Sequence, residues 1–538
     1  MKKFVFLVFT IVSIVSYTQE KPKLVVGIVV DQMRQDYLSR YYDDFGEGGF
    51  KRLLNDGYSF LNAKYNYIPT KTGPGHASIF TGTTPSKHGI IGNDWYDRVL
   101  SRNVNCVEDT LWQPVGGISN GEVSPTNVTT TTVTDELRLF TNFKSKVIGV
   151  SLKDRGAVIP SGHNPTGAYW YDLQSGNMIT STYYMENLPQ WVSNFNKEKR
   201  AEKLLNQKWE PILPISEYNE SIEDANEFES ELIKGMGSSF PYELAKRKKD
   251  FSLLKYTPFT NTLLTSFSIS AIENEELGNN EVTDFLTLSY SATDDIGHRF
   301  GPRAVEVQDT YIRLDRELKR LFKYLDEKVG KDEYLVFLTA DHGATDVPSY
   351  MKINKMPSGY HNNGFIKSLC NDAISSEFGE GRWIDQIINE QVYLNRELIS
   401  SEADFKKIQN IVIDALLKED YVTEAFTSHK VSARSFTDPY LIFLQNGYHN
   451  KRSGDVLYML TSSHLNSGGY GRTGTDHRTA YLYDRHIPII FYGTGIESGK
   501  TVRPVSITDI APTISMLLEI SLPSGATGEP LIELFENE

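Results

Sequence analysis

Six acidic and imidazole side chains stand where a metal ion or a substrate could be bound. Most of them follow apolar, β-branched segments typical of buried strands, and ligands of open α/β sheets bind at the carboxyl ends of strands. Aspartate and neutral histidine are zinc ligands, and two groups of three would each leave one position open for chemistry. The alternative is that these residues cap helices, form turns or pack, because spacing alone does not choose among the eleven histidines. The six are Asp31, Asp294, His298, Asp341, His342 and His477.

A hydroxyl group stands at a second point of chemical interest, in the segment KTGPGHASIFTG. The segment predicts a turn that runs into a helix, with Thr72 as the N-cap and Pro74 in the first turn. Free backbone N–H groups and the positive end of the helix dipole favour a phosphate there. Taken alone, however, the segment favours a threonine that only caps the helix.

Three hydrogen-bond donors complete the candidate set. Lys153 and Arg155 follow the predicted strand at 145–152, and a point charge beside a planar guanidinium suits phosphate oxygens. Asn93 follows a glycine in a loop, where its amide could donate to an oxyanion. The ordinary explanations are a solvated basic loop and a turn-forming asparagine.

The elements that must position these residues are predicted from apolar runs at 23–30, 145–152, 282–290, 334–340 and 486–493. With long helices at 306–329 and 506–519, they predict an α/β fold: a mostly parallel central sheet with helices on both faces. Residues from about 160 to 280 and from about 350 to 470 have weaker periodicity, and we interpret them as inserted cap segments.

Composition limits the functional classes. The chain has 538 residues, 39% of them hydrophobic, which is enough for a large core. A net charge of −14 argues against nucleic acid as a partner but leaves a small anionic substrate possible. We expect a monomer, because no strongly apolar surface segment stands out.

The N-terminal residues 1–18 have two lysines before a short apolar run, which predicts a signal peptide rather than a membrane anchor. We therefore expect a periplasmic or secreted protein whose catalytic domain is 19–538. Cys106 and Cys370 are the two cysteines, and the sequence leaves open whether they form a disulfide.

Six segments, in the same order along the chain, resemble the motifs of the alkaline phosphatase superfamily. The chain is most similar to the phosphate-irrepressible bacterial alkaline phosphatases, which use a threonine nucleophile. The resemblance spans residues 25 to about 480, almost the whole mature chain. The segments are VVDQMRQDYL, TGPGHASIFTG with HGIIGNDWYD, SLKDRG, DDIGHRFGP, LTADHG and GTDHR.

The resemblance implies hydrolysis of small phosphate monoesters through a covalent phospho-threonine intermediate on Thr72. It also implies that the non-bridging phosphate oxygens are bound by Asn93, Lys153 and Arg155.

The resemblance further implies two Zn²⁺ ions per chain. The first is held by Asp31, Asp341, His342 and the oxygen of Thr72. The second is held by Asp294, His298 and His477. Asp476, beside His477, departs from the small residue expected at that place.

Other functions compete with this hypothesis. A phosphodiesterase or nucleotide pyrophosphatase of the same superfamily shares the metal site, although Lys153 and Arg155 favour a dianionic monoester. Arylsulfatases require cysteine or serine where this chain has Thr72, and the related phosphoglycerate mutases are cytoplasmic. An exported metal- or phosphate-binding protein without turnover is the alternative outside enzymes.

Overall fold

A ten-stranded mixed sheet forms the centre of the protein. The computed structural model describes residues 21–433, 438–466 and 473–535, and the predicted signal peptide at 1–18 lies outside them. The strands of the two largest sheets are β1 (Leu24–Val30), β2 (Tyr58–Phe60), β3 (Pro114–Val115), β4 (Val147–Ser151), β5 (Gly167–Tyr171), β6 (Met178–Ser181), β7 (Asp284–Tyr290), β8 (Tyr334–Thr339), β9 (Ile384–Ile388), β10 (Gln391–Leu394), β11 (Val422–Thr427), β12 (Val456–Leu460), β13 (Ile489–Gly493) and β14 (Gly499–Thr501). Short strands are Ala63–Lys64, Asp94–Asp97, Arg102–Asn105, Lys208–Trp209, Tyr242–Glu243, Gly359–His361, His464–Asn466 and Val505–Ser506.

The helices of seven or more residues in the described ranges lie mostly between these strands. They are α1 (Phe50–Asp56), α2 (Thr72–Thr81), α3 (Val133–Phe140), α4 (Asp154–Ser161), α5 (Gln190–Lys197), α6 (Phe259–Asn274), α7 (Ala292–Phe300), α8 (Val305–Leu325), α9 (Asn363–Phe378), α10 (Glu402–Leu416), α11 (Pro439–Gly447) and α12 (Ile510–Leu518). Shorter helices are Tyr37–Arg40, Pro85–His88, Arg200–Leu205, Pro348–Ile353, Ser428–Ser432 and Leu482–Arg485.

The order of strands across the central sheet is β14-β2-β13-β8-β1-β7-β4-β5-β6-β3. The five strands from β8 to β5 are parallel neighbours, and every residue in them is buried. Burial on both faces explains why they appear in the sequence as continuous apolar runs. The prediction of a mostly parallel centre is therefore confirmed, while β13 and β6 add antiparallel pairs towards the edges.

Helices cover both faces of this sheet, as the side chains at the end of β7 show. Ser289 contacts His76 of α2, whereas the next residue, Tyr290, contacts Thr265 of α6. Since successive side chains of a strand point to opposite faces, α2 and α6 lie on opposite sides.

The two predicted insertions differ in how they are built. Four strands of the second insertion form a separate antiparallel sheet, in the order β9-β10-β12-β11, which shares a hydrophobic cluster with α9 and α10. Within 160–280, by contrast, β5 and β6 extend the central sheet and α6 packs on β4 and β7. The sequence analysis does not predict strand β5, because its aromatic residues lie within a segment rich in polar residues.

The predicted strand at 486–493 starts later than expected, at Ile489. Pro488 lacks the N–H that a ladder needs, and its carbonyl instead accepts a hydrogen bond from Thr339.

Both cysteines are free thiols in the interior. Cys106 lies in a cluster with Trp95 and Trp170, and Cys370 lies in the cluster of the second sheet. The structure thus answers the question that the sequence left open, because the two do not pair.

None of the helices in the described ranges combines the length and the apolar character that a membrane span requires.

Candidate active site

Three aspartates converge at the carboxyl edge of the central sheet. Asp31 follows β1 and Asp341 lies two residues beyond β8, while Asp294 lies in the first turn of α7, just beyond β7. Because β8, β1 and β7 are adjacent and parallel, their carboxyl ends bring these residues together.

The six predicted metal ligands form two groups, with the same membership that the resemblance implied. In each group the ligand atoms lie within 4.8 Å of one another. His298 Nε2 lies 3.1 Å from Asp294 Oδ1, one helical turn earlier in α7, and His342 Nε2 lies 3.4 Å from Asp31 Oδ1. The groups are Asp31, Asp341 and His342, and Asp294, His298 and His477.

Each of the three histidines is oriented by a backbone carbonyl. The Nδ1 atoms of His298, His342 and His477 lie 2.7, 3.0 and 2.6 Å from the carbonyl oxygens of Thr475, Gly343 and Thr70. Donation from Nδ1–H leaves the lone pair on Nε2, the atom that faces the carboxylates. Metal-binding histidines are held in this manner.

Several buried polar atoms at the site have no hydrogen-bond partner among the described residues. They are Asp31 Oδ1, Asp341 Oδ2, His342 Nε2 and Thr72 Oγ1. Buried polar atoms are normally satisfied, and these four are an oxygen and nitrogen set that suits a divalent cation. The unpartnered atoms of the first group therefore fit a divalent cation, and the aspartate and histidine donors of both groups are of the kinds that bind zinc.

In the first group, the pKa directions agree with a site built for a cation. Burial, and then the nearby charge of Asp294, raise the pKa of Asp31; burial and the charge of Asp31 raise that of Asp341. A bound cation would oppose both effects. Burial also lowers the pKa of His342 to about 3, which keeps the imidazole in its neutral, metal-binding form. For His298, burial acts in the same direction, but Asp294 raises the pKa to about 9.

Thr72 is the first residue of α2 and not its N-cap, which is Lys71. Its neighbours place it beside the first metal group. Gly73 N–H donates to Asn93 Oδ1 at 2.7 Å, and His76 Nδ1 lies 2.9 Å from the Thr72 carbonyl and 3.5 Å from Asp341 Oδ2. The Thr72 hydroxyl is free of the capping role that the sequence alone favoured.

Lys153 links the two metal groups. Its Nζ lies 2.7 Å from Asp31 Oδ2 and 2.5 Å from Asp294 Oδ2. The predicted basic loop is in fact a helix start: Lys153 is the N-cap of α4, and Arg155 lies in its first turn. Both side chains line a cavity of about 270 Å³, and Arg155 Nε is buried without a partner among the described residues.

Sequence reasoning missed Gln32, which touches both metal groups. Its backbone N–H donates to Asp341 Oδ1 at 3.1 Å and its side-chain amide to Asp294 Oδ1 at 2.7 Å. A left-handed backbone (φ 63°), uncommon for glutamine, allows both contacts. Its position directly after Asp31 was the available signal.

Comparisons with known proteins agree with this geometry. Residues 25–467 match the sequence profile of the family "type I phosphodiesterase / nucleotide pyrophosphatase". Alkaline phosphatase PafA of Elizabethkingia meningoseptica is 47% identical, over 96% of this chain and 94% of its own length. Alkaline phosphatase PhoV of Synechococcus elongatus is 45% identical, over 97% and 95%. The crystal structure of PafA superposes with a TM-score of 0.91 at 46% identity, covering 96% of this chain and 99% of that one.

Proposed function

Because the chain belongs to the type I phosphodiesterase/nucleotide pyrophosphatase family of the alkaline phosphatase superfamily, we propose that it is an alkaline phosphatase, a hydrolase of phosphate monoesters. The observation that carries the proposal is the pair of three-ligand groups beside the hydroxyl of Thr72, which has no hydrogen-bond partner in the part of the chain that the structure describes. The similarity to two proteins named alkaline phosphatases extends over nearly the whole chain and supports the same activity.

Two zinc ions are the proposed cofactors. One would be held by Asp31, Asp341, His342 and the Thr72 oxygen, and the other by Asp294, His298 and His477. When bound, such ions supply Lewis acidity, which favours ionisation of a hydroxyl and stabilises charge on a leaving oxygen.

Thr72 is the proposed nucleophile. Its Oγ forms a bond to phosphorus while the bond to the leaving oxygen breaks, which gives a phospho-threonine. Water then attacks phosphorus, breaks the bond to Thr72 and releases inorganic phosphate. The first turn of α2, which carries Thr72, is fixed by its own contacts: Gly73 N–H donates to Asn93 Oδ1 and Gly75 N–H donates to the Lys71 carbonyl.

Three donors are proposed to bind the non-bridging oxygens: the Lys153 ammonium, the Arg155 guanidinium and the Asn93 amide. Asn93 Oδ1 is occupied by Gly73 N–H, so the side chain offers a substrate its amide hydrogens. Preorganised charge of this kind stabilises the transition state most where negative charge accumulates.

A phosphodiesterase is the second candidate, because the family description includes that activity. A monoester dianion presents one more anionic oxygen than a diester, and Lys153 with Arg155 supplies the matching positive charge. We expect an aryl phosphate monoester to be hydrolysed much faster than a bis-aryl diester. A faster diester reaction would overturn the proposal.

Replacement of the nucleophile tests the mechanism. Thr72→Ala should remove nearly all monoester turnover while zinc stays bound, because three protein ligands remain in each group. Turnover and zinc content are measured on the same preparation. The control is Thr81→Ala in the same helix, whose hydroxyl donates to the Ala77 carbonyl. Wild-type activity in Thr72→Ala would exclude Thr72 as the nucleophile.

Small phosphate monoesters outside the inner membrane are the proposed substrates. Export by residues 1–18 and a monomeric state remain predictions, which cell fractionation and light scattering would test.

A further inference from the structure

The hairpin that joins β9 to β10 ends inside the molecule. Its tip is Asn389-Glu390, and these residues are only 6% and 8% exposed. Both have left-handed backbones, with φ of 55° and 56°. Two such residues are what a two-residue hairpin turn needs, but glutamate is an unusual choice there and the conformation costs free energy. Hairpin tips normally lie in solvent, so a buried and strained tip indicates that its side chains have a role.

Asn389 contacts the loop that carries a proposed phosphate ligand. Its Nδ2 donates to the Asp94 carbonyl at 2.7 Å, and Asp94 follows Asn93 directly. The fit is close, because a Cβ on Gly92 would lie 2.4 Å from the same Nδ2. The Asn389 side chain therefore fixes the backbone on both sides of Asn93.

Glu390 contacts the loop that carries a proposed metal ligand. Its Oε1 accepts a hydrogen bond from Arg478 Nη1 at 3.3 Å, and its own backbone carbonyl accepts from Tyr458 of β12 at 3.0 Å. The hairpin tip thus joins the second sheet to Arg478.

Arg478 in turn contacts the backbone of His477 and the side chain of Asp476. Its Nε donates to the His477 carbonyl at 2.9 Å, and its Nη2 bonds to Asp476 Oδ2. Asp476 Oδ1 accepts the His477 N–H at 2.8 Å. Arg478 keeps a strained backbone, with φ of 144°, while it makes these contacts. Asp476, which departed from the expected motif, is therefore part of a clamp on the His477 backbone.

We propose that the Asn389-Glu390 tip is a positioning element for both parts of the site. Asn389 positions the phosphate-binding Asn93, and Glu390, acting through Arg478 and Asp476, positions the metal ligand His477. The inference rests on the proposed function for the roles of Asn93 and His477. Neither tip residue touches the reacting atoms.

The two halves predict different losses. Glu390→Gln keeps the size of the side chain but removes the charge opposite Arg478, so zinc should dissociate about 10- to 100-fold faster. Asn389→Gly removes the amide donor and also relieves the left-handed strain, so the protein should remain folded. Its kcat/KM for an aryl phosphate monoester should fall about 10-fold or more, while zinc dissociation stays at the wild-type rate.

The experiment measures zinc transfer to a coloured chelator, kcat/KM for the monoester, and Tm. The proteins are wild type, both variants, and Glu397→Gln as an exposed control three residues beyond the end of β10. Faster zinc dissociation in Glu390→Gln, together with a lower kcat/KM but wild-type zinc dissociation in Asn389→Gly, supports the proposal. Wild-type values in both variants, or equal losses of zinc, activity and Tm in both, overturn it. An inactive wild type would instead reject the proposed function, and the zinc measurement would still decide the role of Glu390.

Discussion

The side chain of Lys153 contacts both metal groups. Its ammonium lies within 2.7 Å of one carboxylate from each group, Asp31 and Asp294. Burial disfavours the charged ammonium, but these carboxylates raise the pKa of Lys153 above its ordinary value. The two carboxylates thus favour the charged form of Lys153, which suits a dianionic phosphate.

We expect Lys153→Ala to reduce kcat/KM for an aryl phosphate monoester by about 10²- to 10³-fold, as for loss of one preorganised donor. Hydrolysis of a bis-aryl diester should fall much less, because a diester has less charge for the ammonium to stabilise. Steady-state kinetics on both substrates measure the difference, with the exposed Lys144→Ala as the control. Equal losses on both substrates would contradict the assignment.

The chemistry of the metal ligands could be predicted from the sequence, but their selection could not be derived from spacing. His298 is one helical turn from Asp294, which is a local relation and was predicted. His477 reaches the same group through tertiary contacts, among them the contact of its Nδ1 with the carbonyl of Thr70, 407 residues earlier. The resemblance to known motifs identified His477 as a ligand, and its contacts in the structure explain why it lies beside Asp294 and His298.

The first turn of α2 is the element on which the position of the nucleophile depends. A Cβ on Gly75 would lie 2.4 Å from the carbonyl oxygen of Asp341, and backbone cannot move aside as a side chain can. Glycine at this point lets α2 lie against the end of β8.

We expect Gly75→Ala to destabilise the protein by about 1–3 kcal/mol, the usual cost of overpacking, and to reduce turnover by displacing Thr72. Urea unfolding and monoester kinetics measure the two effects. Gly46→Ala is the matched control, because a Cβ there meets only Asp315 Oδ2 at 3.4 Å. A fully active and stable Gly75→Ala protein would show that this contact is not needed.

The segment before α6 carries a second group of buried acidic residues, away from the metal groups. Glu229 is 5% exposed, and burial raises its pKa to about 9. Glu306, in the first turn of α8, is fully buried and accepts a hydrogen bond from the Tyr242 hydroxyl. Next to Glu229, the Phe228 carbonyl accepts a hydrogen bond from Gly474 N–H, so this loop supports the segment that leads to His477.

A carboxyl group with a raised pKa binds its proton more tightly in the folded state than in the unfolded state. Its contribution to the free energy of unfolding is therefore complete below the ordinary pKa of 4.5 and is lost as pH rises to about 9. Glu229→Gln, which is neutral at every pH, should make stability fall less between pH 5 and pH 9. Urea unfolding at several pH values measures this, with the exposed Glu227→Gln as the control. Parallel pH profiles for wild type and Glu229→Gln would contradict it.

Some elements of the fold could be predicted from the sequence and others could not. Strands β1 and β8 are continuous apolar runs, and their type and place were evident. The sequence predicts a loop at Lys153 where the structure has a helix start, because lysine is not a usual N-cap residue and its side chain makes no capping hydrogen bond. The Asn389-Glu390 tip could not be predicted at all, since two polar residues between strands normally indicate an exposed turn.

At the scale of the whole molecule, the proposed metal ions connect the strand ends β8, β1 and β7 with the loop at 473–477. Ligands that bind only the folded state stabilise it, and free zinc at about 100 times Kd adds about 2.7 kcal/mol per site. Chelation should therefore stop turnover and lower Tm by about 5 °C. Zinc should restore both. Thr72→Ala should show the same fall in Tm without any turnover, which separates folding from catalysis. An unchanged Tm and unchanged turnover after chelation would mean that the ligand groups are structural.

The two free cysteines lie in different hydrophobic clusters: Cys106 lies in one that includes residues of α2 and α4, and Cys370 lies in the cluster of the second sheet. Each thiol can react with a labelling reagent only when its own cluster opens. Each of the two clusters thus contains one native thiol that reports on its opening. Different labelling rates at Cys106 and Cys370 would indicate local opening of one cluster, and equal rates would indicate concerted unfolding.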